Sequence, residues 1–171
     1  MSSILDQVVT VGVEAVAYGT PELTTVRSFE AKSDTFTRDV EYIQSVGLRR
    51  DLQTIRSDRD DTISLGASGS LELDVQNKGL GMLLQHLLGA VSGPTQLGSS
   101  IAYKTVASTN DVGPAGSYTI QVSRVDSGGT LRPYTYEGCV ATGFSIAQEI
   151  GSPLNLNISY DAENEHVSSG E

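Results

Sequence analysis

Two stretches near the C-terminus alternate apolar and polar side chains so regularly that they restrict the fold to one built on β-sheet. The stretches cover residues 140–148 and 154–160, and the segment Ile150-Gly151-Ser152-Pro153 separates them as a turn. A period of two predicts a pair of strands with one face on a core and the other toward water. The predicted apolar face contains Val140, Thr142, Phe144, Ile146 and Gln148 on the first strand and Leu154, Leu156, Ile158 and Tyr160 on the second.

A third strand leads into the one clear helix. Residues 69–75 alternate in the same way, with Leu71, Leu73 and Val75 on one face. Asn77 is placed to cap a helix over residues 78–89, and Gly89 to end it. A helix this short is marginal alone in water, so its apolar face must dock on the sheet. The predicted core positions of the helix are Leu80, Leu83, Leu84, Leu87 and Leu88.

Other segments complete a mainly β pattern. Residues 118–123 and 131–136 predict a hairpin, in which Pro133 favours an edge or a bulge because it lacks a backbone donor. Alternating valines at residues 9–13 predict an early strand. Residues 92–116 are rich in Ser, Gly and Thr and are interpreted as a long connection, with a possible short strand at residues 101–103. We see no internal repeat.

Residues 31–62 carry many charges and few apolar anchors, which predicts a long charged loop. Two interpretations remain open: a segment that pairs with a neighbouring molecule, and a solvated loop. Its basic residues are Lys32, Arg38, Arg49, Arg50, Arg56 and Arg59, interleaved with carboxylates.

A chain of 171 residues fits one domain. We divide it into an N-terminal strand or arm (8–30), the charged loop (31–62), a sheet core with its helix (63–161) and a polar tail (162–171). The fold class is mainly β with one flanking α-helix, arranged as a sandwich or barrel. The first residues lack a secretory signal, so we expect assembly inside a cell. No membrane binding is expected.

The charge balance and the reactive residues argue against several functions. A net charge of −10 disfavours ordinary nucleic-acid binding, which needs Lys and Arg against phosphates. The single cysteine, Cys139, is expected to be a packed thiol. His86 is expected to be a structural helix residue and His166 to face solvent, and neither has metal-ligand spacing. No nucleophile with a base is visible, so the sequence predicts no enzyme and no cofactor or metal.

Several segments, in order, resemble the major tail-tube protein family of long-tailed, siphovirus-like bacteriophages. They cover roughly residues 10–161. They are Val11-Gly12-Val13-Glu14-Ala15-Val16-Ala17-Tyr18-Gly19-Thr20-Pro21, then Ser45-Val46-Gly47-Leu48-Arg49-Arg50, then Gly66-Ala67-Ser68-Gly69-Ser70-Leu71-Glu72-Leu73, and Tyr134-Thr135-Tyr136-Glu137-Gly138-Cys139 leading to Phe144.

The resemblance implies a structural subunit of the virion that forms hexameric rings. The rings stack into a tube, and inner strands join into one barrel around an acidic channel for the passage of DNA. Partners implied in this way are further copies of the chain and the tape-measure, tail-tip and tail-terminator proteins, with assembly in the host cytoplasm. Many relatives continue beyond the position that matches Asp161, whereas this chain ends ten residues later, so the sequence leaves open whether a C-terminal portion is missing relative to them.

Two sets of residues are candidates for the assembly. The ring-to-ring interface is expected at Arg38, Arg49, Arg50 and Asp51. The lumen-facing or wet sheet face is expected at Asn155, Asn157, Ser159 and Asp161. The alternative function is a non-catalytic β-sandwich module that binds carbohydrate or protein, although a chain without Trp is poorly supplied for stacking on sugars. A hydrolase whose residues are distant in sequence also stays open.

Overall fold

The computed structural model describes residues 8–44, 60–75, 80–109, 116–125 and 127–167, and in that part the chain is mainly β with one helix. This confirms the predicted fold class. The elements are β1 Val9–Val13, β2 Val26–Phe29, β3 Ala31–Asp34, β4 Thr37–Gln44, β5 Asp60–Asp74, α1 Leu80–Leu88, β6 Gly89–Gln96, β7 Tyr103–Thr109, β8 Tyr118–Val125, β9 Leu131–Ala147, β10 Asn155–Ala162 and β11 Asn164–Val167.

Nine strands form one sheet with the order β2-β1-β8-β9-β10-β5-β3. In addition, β4 pairs with β5 and β11 pairs with β9. Every one of these pairs is antiparallel, and β6 and β7 form a separate two-stranded hairpin. The long strand β9 lies in the middle of the order, so it connects the β8 side of the sheet with the β10 side.

The core is enclosed because the sheet curls over its own apolar face. Phe36, in the corner between β3 and β4, stacks on Tyr136 of β9 at 4.7 Å between ring centroids and on Tyr160 of β10 at 5.9 Å. The rest of the core consists of the alternating valines of β1 and the apolar positions of β5, β8 and β10. The fully buried members include Val9, Val11, Leu71, Ile120, Val122, Leu156 and Ile158.

Helix α1 closes the open side of the core, and it ends at Leu88 as Gly89 takes a positive φ of 95°. The described helix begins at Leu80, and the expected cap Asn77 lies outside the described residues. Leu83 is buried, Leu80 and Leu87 pack against the core, and Leu84 and Leu88 are half-buried. His86 is as deeply buried as Leu83, so the core face of the helix includes a polar side chain.

Three sequence interpretations were wrong about secondary structure. Residues 92–116 do not form one long connection, because β6 continues to Gln96 and β7 runs from Tyr103 to Thr109. The stretch 31–62 contains β3, β4 and the start of β5, while residues 45–59 lie outside the described part. The polar tail contains β11, whose His166 is opposite Thr135 of β9.

The predicted hairpins are confirmed, although the structure joins two predicted strands into one. A shift in the β9–β10 register also places Ala141 opposite Tyr160 and Val140 opposite Asp161, so the prediction of Val140 on the apolar face was wrong. Residues 131–147 form a single 17-residue strand that passes through Gly138, which has a positive φ of 63°. That glycine and Cys139 separate two apolar patterns in the sequence, which is why the strand was expected to be interrupted there. In the described part of the chain, no helix has the length and apolar character needed to span a membrane.

Candidate assembly surface

The polar face of β10 lies at the centre of a wider polar surface. Asn155, Asn157, Ser159 and Asp161 alternate with buried apolar residues of the same strand, as the sequence predicts. The register places them opposite residues of β5 that are also polar. The facing pairs are Asn155 with Asp74, Asn157 with Glu72, Ser159 with Ser70, and Asp161 with Ser68.

Charges on this surface are held in defined positions. Glu72 accepts hydrogen bonds from the Asn155 side chain and, at 3.1 Å, from the Ser33 hydroxyl. These two bonds lower the pKa of the Glu72 carboxyl from its ordinary value, so it is ionised at neutral pH. Lys32 pairs with Asp74 at 2.8 Å, and that hydrogen bond raises the pKa of the Lys32 ammonium. With Asp161, the surface carries more negative than positive charge.

The polar surface ends at a free strand edge on one side. Strand β8 pairs with β9 only from Leu131 to Cys139, whereas β10 pairs with the part from Val140 to Ala147. Since the sheet order places β8 and β10 on opposite sides of β9, no described strand pairs with the β8-side edge of residues 140–147. Unpaired backbone groups along such an edge are a template for another strand.

The other side of the surface also ends at a free edge. Strand β3 closes the sheet order, and no described strand pairs with its outer side. Where β10 pairs with residues 140–147, the sheet consists of four strands: β3, β5, β10 and these residues of β9. We call this part the wall sheet, and its two margins are β3 and residues 140–147.

Apolar side chains at the β9 margin are only partly covered. Phe144 faces Ile158 and Ile146 faces Leu156 across the β9–β10 ladder. Their partners on β10 are fully buried, yet Phe144 and Ile146 are 47% and 51% exposed. A half-exposed apolar pair on an unpaired edge is typical of a surface that another chain covers.

His86 lies where the pairing of β9 with β8 ends. Its Nε2 accepts a hydrogen bond from the Ala141 backbone N–H at 2.9 Å, and its ring lies 3.7 Å from the Tyr118 ring centroid. Burial lowers the pKa of His86 to about 4, so the ring is neutral near pH 7. Because Nε2 accepts, the proton belongs on Nδ1, which is buried and has no partner among the described residues.

A buried carboxylate that sequence reasoning missed fixes the loop after β1. Glu14 accepts hydrogen bonds from the Gly19 and Gly138 backbone N–H groups and from the hydroxyls of Ser117 and Thr119. The residue is 9% exposed. The only signal for it in the sequence is a lone acid in the apolar run from Val11 to Ala17.

The structure places some of the remaining residues that were singled out from the sequence. Cys139 is fully buried, and burial raises the pKa of its thiol, so it is a packed core residue as predicted. His166 is exposed and lies 3.4 Å from a Glu137 carboxylate oxygen. Arg38 lies on β4 opposite Ala67 and is exposed. Arg49, Arg50 and Asp51 lie outside the described residues. Over the described residues, no three metal-ligating side chains come together.

The comparisons with known proteins decide the family. A family model described as phage tail tube protein matches residues 5–171. The chain belongs to this family. Tail-tube proteins are structural components of virions, so this chain is a structural subunit and not a member of an enzyme family. No curated protein matches the chain.

Solved structures of low sequence identity share the fold of this tail-tube protein. The SPP1 tail tube is similar with a TM-score of 0.54 and 10% identity, over 99% of this chain and 79% of that one. A chain from the virion of a native gene transfer agent particle gives 0.51 and 8%, over 99% and 100%. A chain from the anti-feeding prophage baseplate gives 0.54 and 9%, over 95% and 91%. These similarities confirm the tail-tube type of fold.

Proposed function

We propose that this tail-tube subunit assembles into stacked hexameric rings, and that the wall sheets of neighbouring copies join into one barrel around an acidic DNA channel. The observation that carries the proposal is the wall sheet itself, which is polar on one face and has two margins with which no described strand pairs. A ring removes both free edges, because each β9 margin pairs with the β3 margin of the next copy.

The directions of the strands support this pairing between the β9 margin of one copy and the β3 margin of the next. Both β9 and β5 are antiparallel to β10, so they run parallel to each other, and β3 is antiparallel to β5. It follows that β3 runs antiparallel to β9. Copies related by a ring axis keep the same direction along that axis, so residues 140–147 of one copy and β3 of the next meet as antiparallel strands. The pairing around the ring is therefore uniform.

The size of such a ring suits a DNA channel. Six copies with four wall strands each, spaced ~4.8 Å apart and tilted by ~40°, give a perimeter of roughly 150 Å and a backbone diameter of about 48 Å. That diameter leaves space for side chains, water and a DNA duplex.

The inner surface is assigned to the polar face that contains Asn155, Asn157, Ser159 and Asp161. The opposite face is buried by the core and by α1, so the polar face is the one available to line a channel. Glu72, Asp74 and Asp161 give this face a net negative charge despite Lys32. A negative wall repels phosphates and lets DNA slide without being held, because adhesion to DNA depends on Lys and Arg.

The contact between rings is assigned to the segment around residues 38–61, with Arg38, Arg49, Arg50 and Asp51 as the first residues to test. Beyond Ala67, β10 no longer pairs with β5, and among the described strands only β4 continues the ladder with β5, as far as Asp60, although β11 still packs against β5. We call this part of β4 and β5 the ribbon. A charged ribbon can contact a stacked copy. The tape-measure, tail-tip and tail-terminator proteins are the proposed partners at the lumen and at the tube ends, and assembly is proposed in the host cytoplasm.

Negative-stain electron microscopy of the purified protein, over a range of concentration and salt, tests the proposal. Wild-type protein is expected to form rings or tubes with a central hole. The Ile146→Lys variant places a charge at the β9 margin and is expected to prevent them. The matched control is Ile150→Lys, since Ile150 is fully exposed in the turn after β9 and is expected to tolerate the charge. Tubes formed equally well by Ile146→Lys would contradict the proposed pairing of the β9 margin with the β3 margin.

A further inference from the structure

Helix α1 and the β6–β7 hairpin form a surface without a carboxylate on an acidic protein. The chain has 21 Asp and Glu residues, yet none lies between Asp74 and Asp111. Within the described residues 80–109 the charged residue is Lys104, and His86 is buried. Two copies with a net charge of −10 repel each other through most surfaces. The carboxylate-free surface is therefore the place where another copy can approach without that repulsion.

A cleft of about 940 Å³ opens on this surface. Its lining combines apolar side chains with a base from the neighbouring strand β2. Ile101, in the hairpin loop, is 97% exposed, and Tyr103 at the start of β7 is 63% exposed. The lining includes Arg27, Met82, Gln85, Pro94, Ile101 and Tyr103.

The hairpin that forms the cleft depends on α1 for its support. Strands β6 and β7 pair with each other and lie outside the nine-stranded sheet. A two-stranded hairpin is marginal alone in water, and α1 packs against both of its strands. On the side of the cleft, the hairpin and its loop still expose the large apolar side chains of Tyr103 and Ile101. Cover from a second molecule would remove this apolar surface from water.

The ribbon at the far end of β4 and β5 has the complementary character. Tyr42 is 66% exposed and Ile43 is 55% exposed on β4, and Ile63 and Leu65 are about equally exposed on β5. Exposed carboxylates of Asp39 and Glu41 lie beside them in the chain. Apolar groups flanked by carboxylates match an apolar cleft with a base at Arg27.

The two surfaces do not meet within one copy. Among the described residues, β4 packs against β5 and has no comparable contact with α1, β6 or β7. The geometry points to a contact between copies: we propose that the β4–β5 ribbon of one subunit docks in the cleft between α1 and the β6–β7 hairpin of a subunit in the adjacent ring. Because the two surfaces differ, the contact is heterologous and can repeat from ring to ring along a tube. This inference rests on the proposed function.

Disulfide trapping between two variants tests the contact. One variant carries Tyr42→Cys on the ribbon and the other carries Ile101→Cys at the cleft, so a disulfide between them forms only between copies. The native Cys139 is fully buried and does not compete. Under mild oxidation, the mixed pair is expected to crosslink at least ~10-fold faster than a pair of Tyr42→Cys with Ile150→Cys, since proximity sets the rate at equal exposure. Equal rates would overturn the inference.

A charge exchange gives a second, independent measurement. Arg27→Glu and Glu41→Arg, each alone, are expected to raise the protein concentration at which tubes appear by roughly 3–10-fold. The double variant is expected to return most of the way to wild type, because the pair is restored with the signs reversed. Both side chains are exposed, so thermal melting is expected to stay unchanged in all three. Additive effects in the double variant would overturn the pairing.

The outcomes separate this inference from the proposed function. Tubes without the ribbon-to-cleft crosslink would overturn the docking contact and leave the tube subunit intact. A specific crosslink in particles that are not rings or tubes would support the contact and contradict the proposed assembly. Absence of both tubes and crosslink would overturn both.

Discussion

The two halves of β9 have the same backbone conformation but opposite surroundings. Residues 131–139 pair with β8 on one side, β11 pairs with residues 134–137 on the other side, and Tyr136 and Cys139 are fully buried. Residues 140–147 pair with β10 alone, and Phe144 and Ile146 are half-exposed. The first half therefore completes its contacts within the chain. Among the described residues, the second half has one unpaired edge and two half-exposed apolar side chains.

This difference shows that the exposed fraction of an apolar side chain in a single copy distinguishes two kinds of residue: those that stabilise the subunit and those that another subunit can cover. Tyr136 stabilises the fold of the subunit, since its ring stacks on Phe36. Phe144 is only half buried and adds less to that fold, and we propose that the neighbouring subunit covers its exposed part. His86 lies at the boundary, where its ring accepts the Ala141 N–H in place of a strand partner. Substitutions in the two halves should separate stability from assembly.

The largest effect is expected from Tyr136→Ala compared with Phe144→Ala. Removing the buried Tyr136 ring should lower the free energy of unfolding by about 3–5 kcal/mol, as for other large core aromatics. Removing the half-buried Phe144 ring should cost about 1–2 kcal/mol in the unassembled subunit, clearly less than Tyr136, but raise the concentration needed for assembly about 10-fold. Urea unfolding at low concentration and electron microscopy measure the two effects. Equal losses of stability would remove the distinction between the halves.

A pH-dependent effect is expected at the boundary. The unfolded His86 takes up a proton near its ordinary pKa of 6.5, whereas the folded one does so only near 4. Between these values the unfolded state binds more protons, so lowering the pH from 6.5 to 4 should reduce stability through this group by up to about 3 kcal/mol. Above pH 6.5 the His86 ring is neutral in both states, so it adds no pH dependence to the free energy of unfolding.

The comparison variant for this effect is His86→Leu, which lacks the titrating ring. Other acids give both proteins a pH dependence, so the difference between their urea-unfolding curves over pH 4–7 isolates His86. A difference that stays constant over this range would show that His86 is not held neutral in the fold.

A smaller effect is expected from two glycines in the two halves of β9. Gly138 has a positive φ, and a Cβ there would lie 2.9 Å from the Glu163 Cβ, so Gly138→Ala should cost about 2 kcal/mol. Gly143 has open space around it, and Gly143→Ala should be neutral or stabilise by about 0.5 kcal/mol. Thermal melting of both variants measures the contrast. A larger loss of thermal stability in Gly143→Ala than in Gly138→Ala would contradict the open space found around the second half of β9.

Sequence patterns predicted the elements in which one face is buried against the core. The alternation at Leu71 and Leu73 and the leucine spacing of α1 are direct consequences of such burial. Strands β6 and β7 escaped prediction because neither face is deeply buried, so Ser, Thr and Gly replace an apolar alternation. Strands β3 and β4 escaped because Phe36, in the corner between them, is their one fully buried side chain among the described residues.

The candidate site was predicted only in part. The polar residues from Asn155 to Asp161 follow from alternation, because polar positions of a half-buried strand face away from the core. The free edge at residues 140–147 could not be predicted, since an edge depends on where β8 ends and on which side β10 pairs. Glu14 also escaped, because its hydrogen-bond donors Ser117, Thr119 and Gly138 come from distant parts of the chain.

Hydrogen exchange of the β9 backbone amides, compared between unassembled subunits and assembled particles, tests the central claim most directly. The amides of residues 131–139 are expected to be protected in both states, because β8 already pairs with them. Within residues 140–147, the amides that point away from β10 are expected to gain protection on assembly, when the neighbouring subunit's strand pairs with the free edge. Assembled particles in which these amides exchange as fast as in the free subunit would contradict the account.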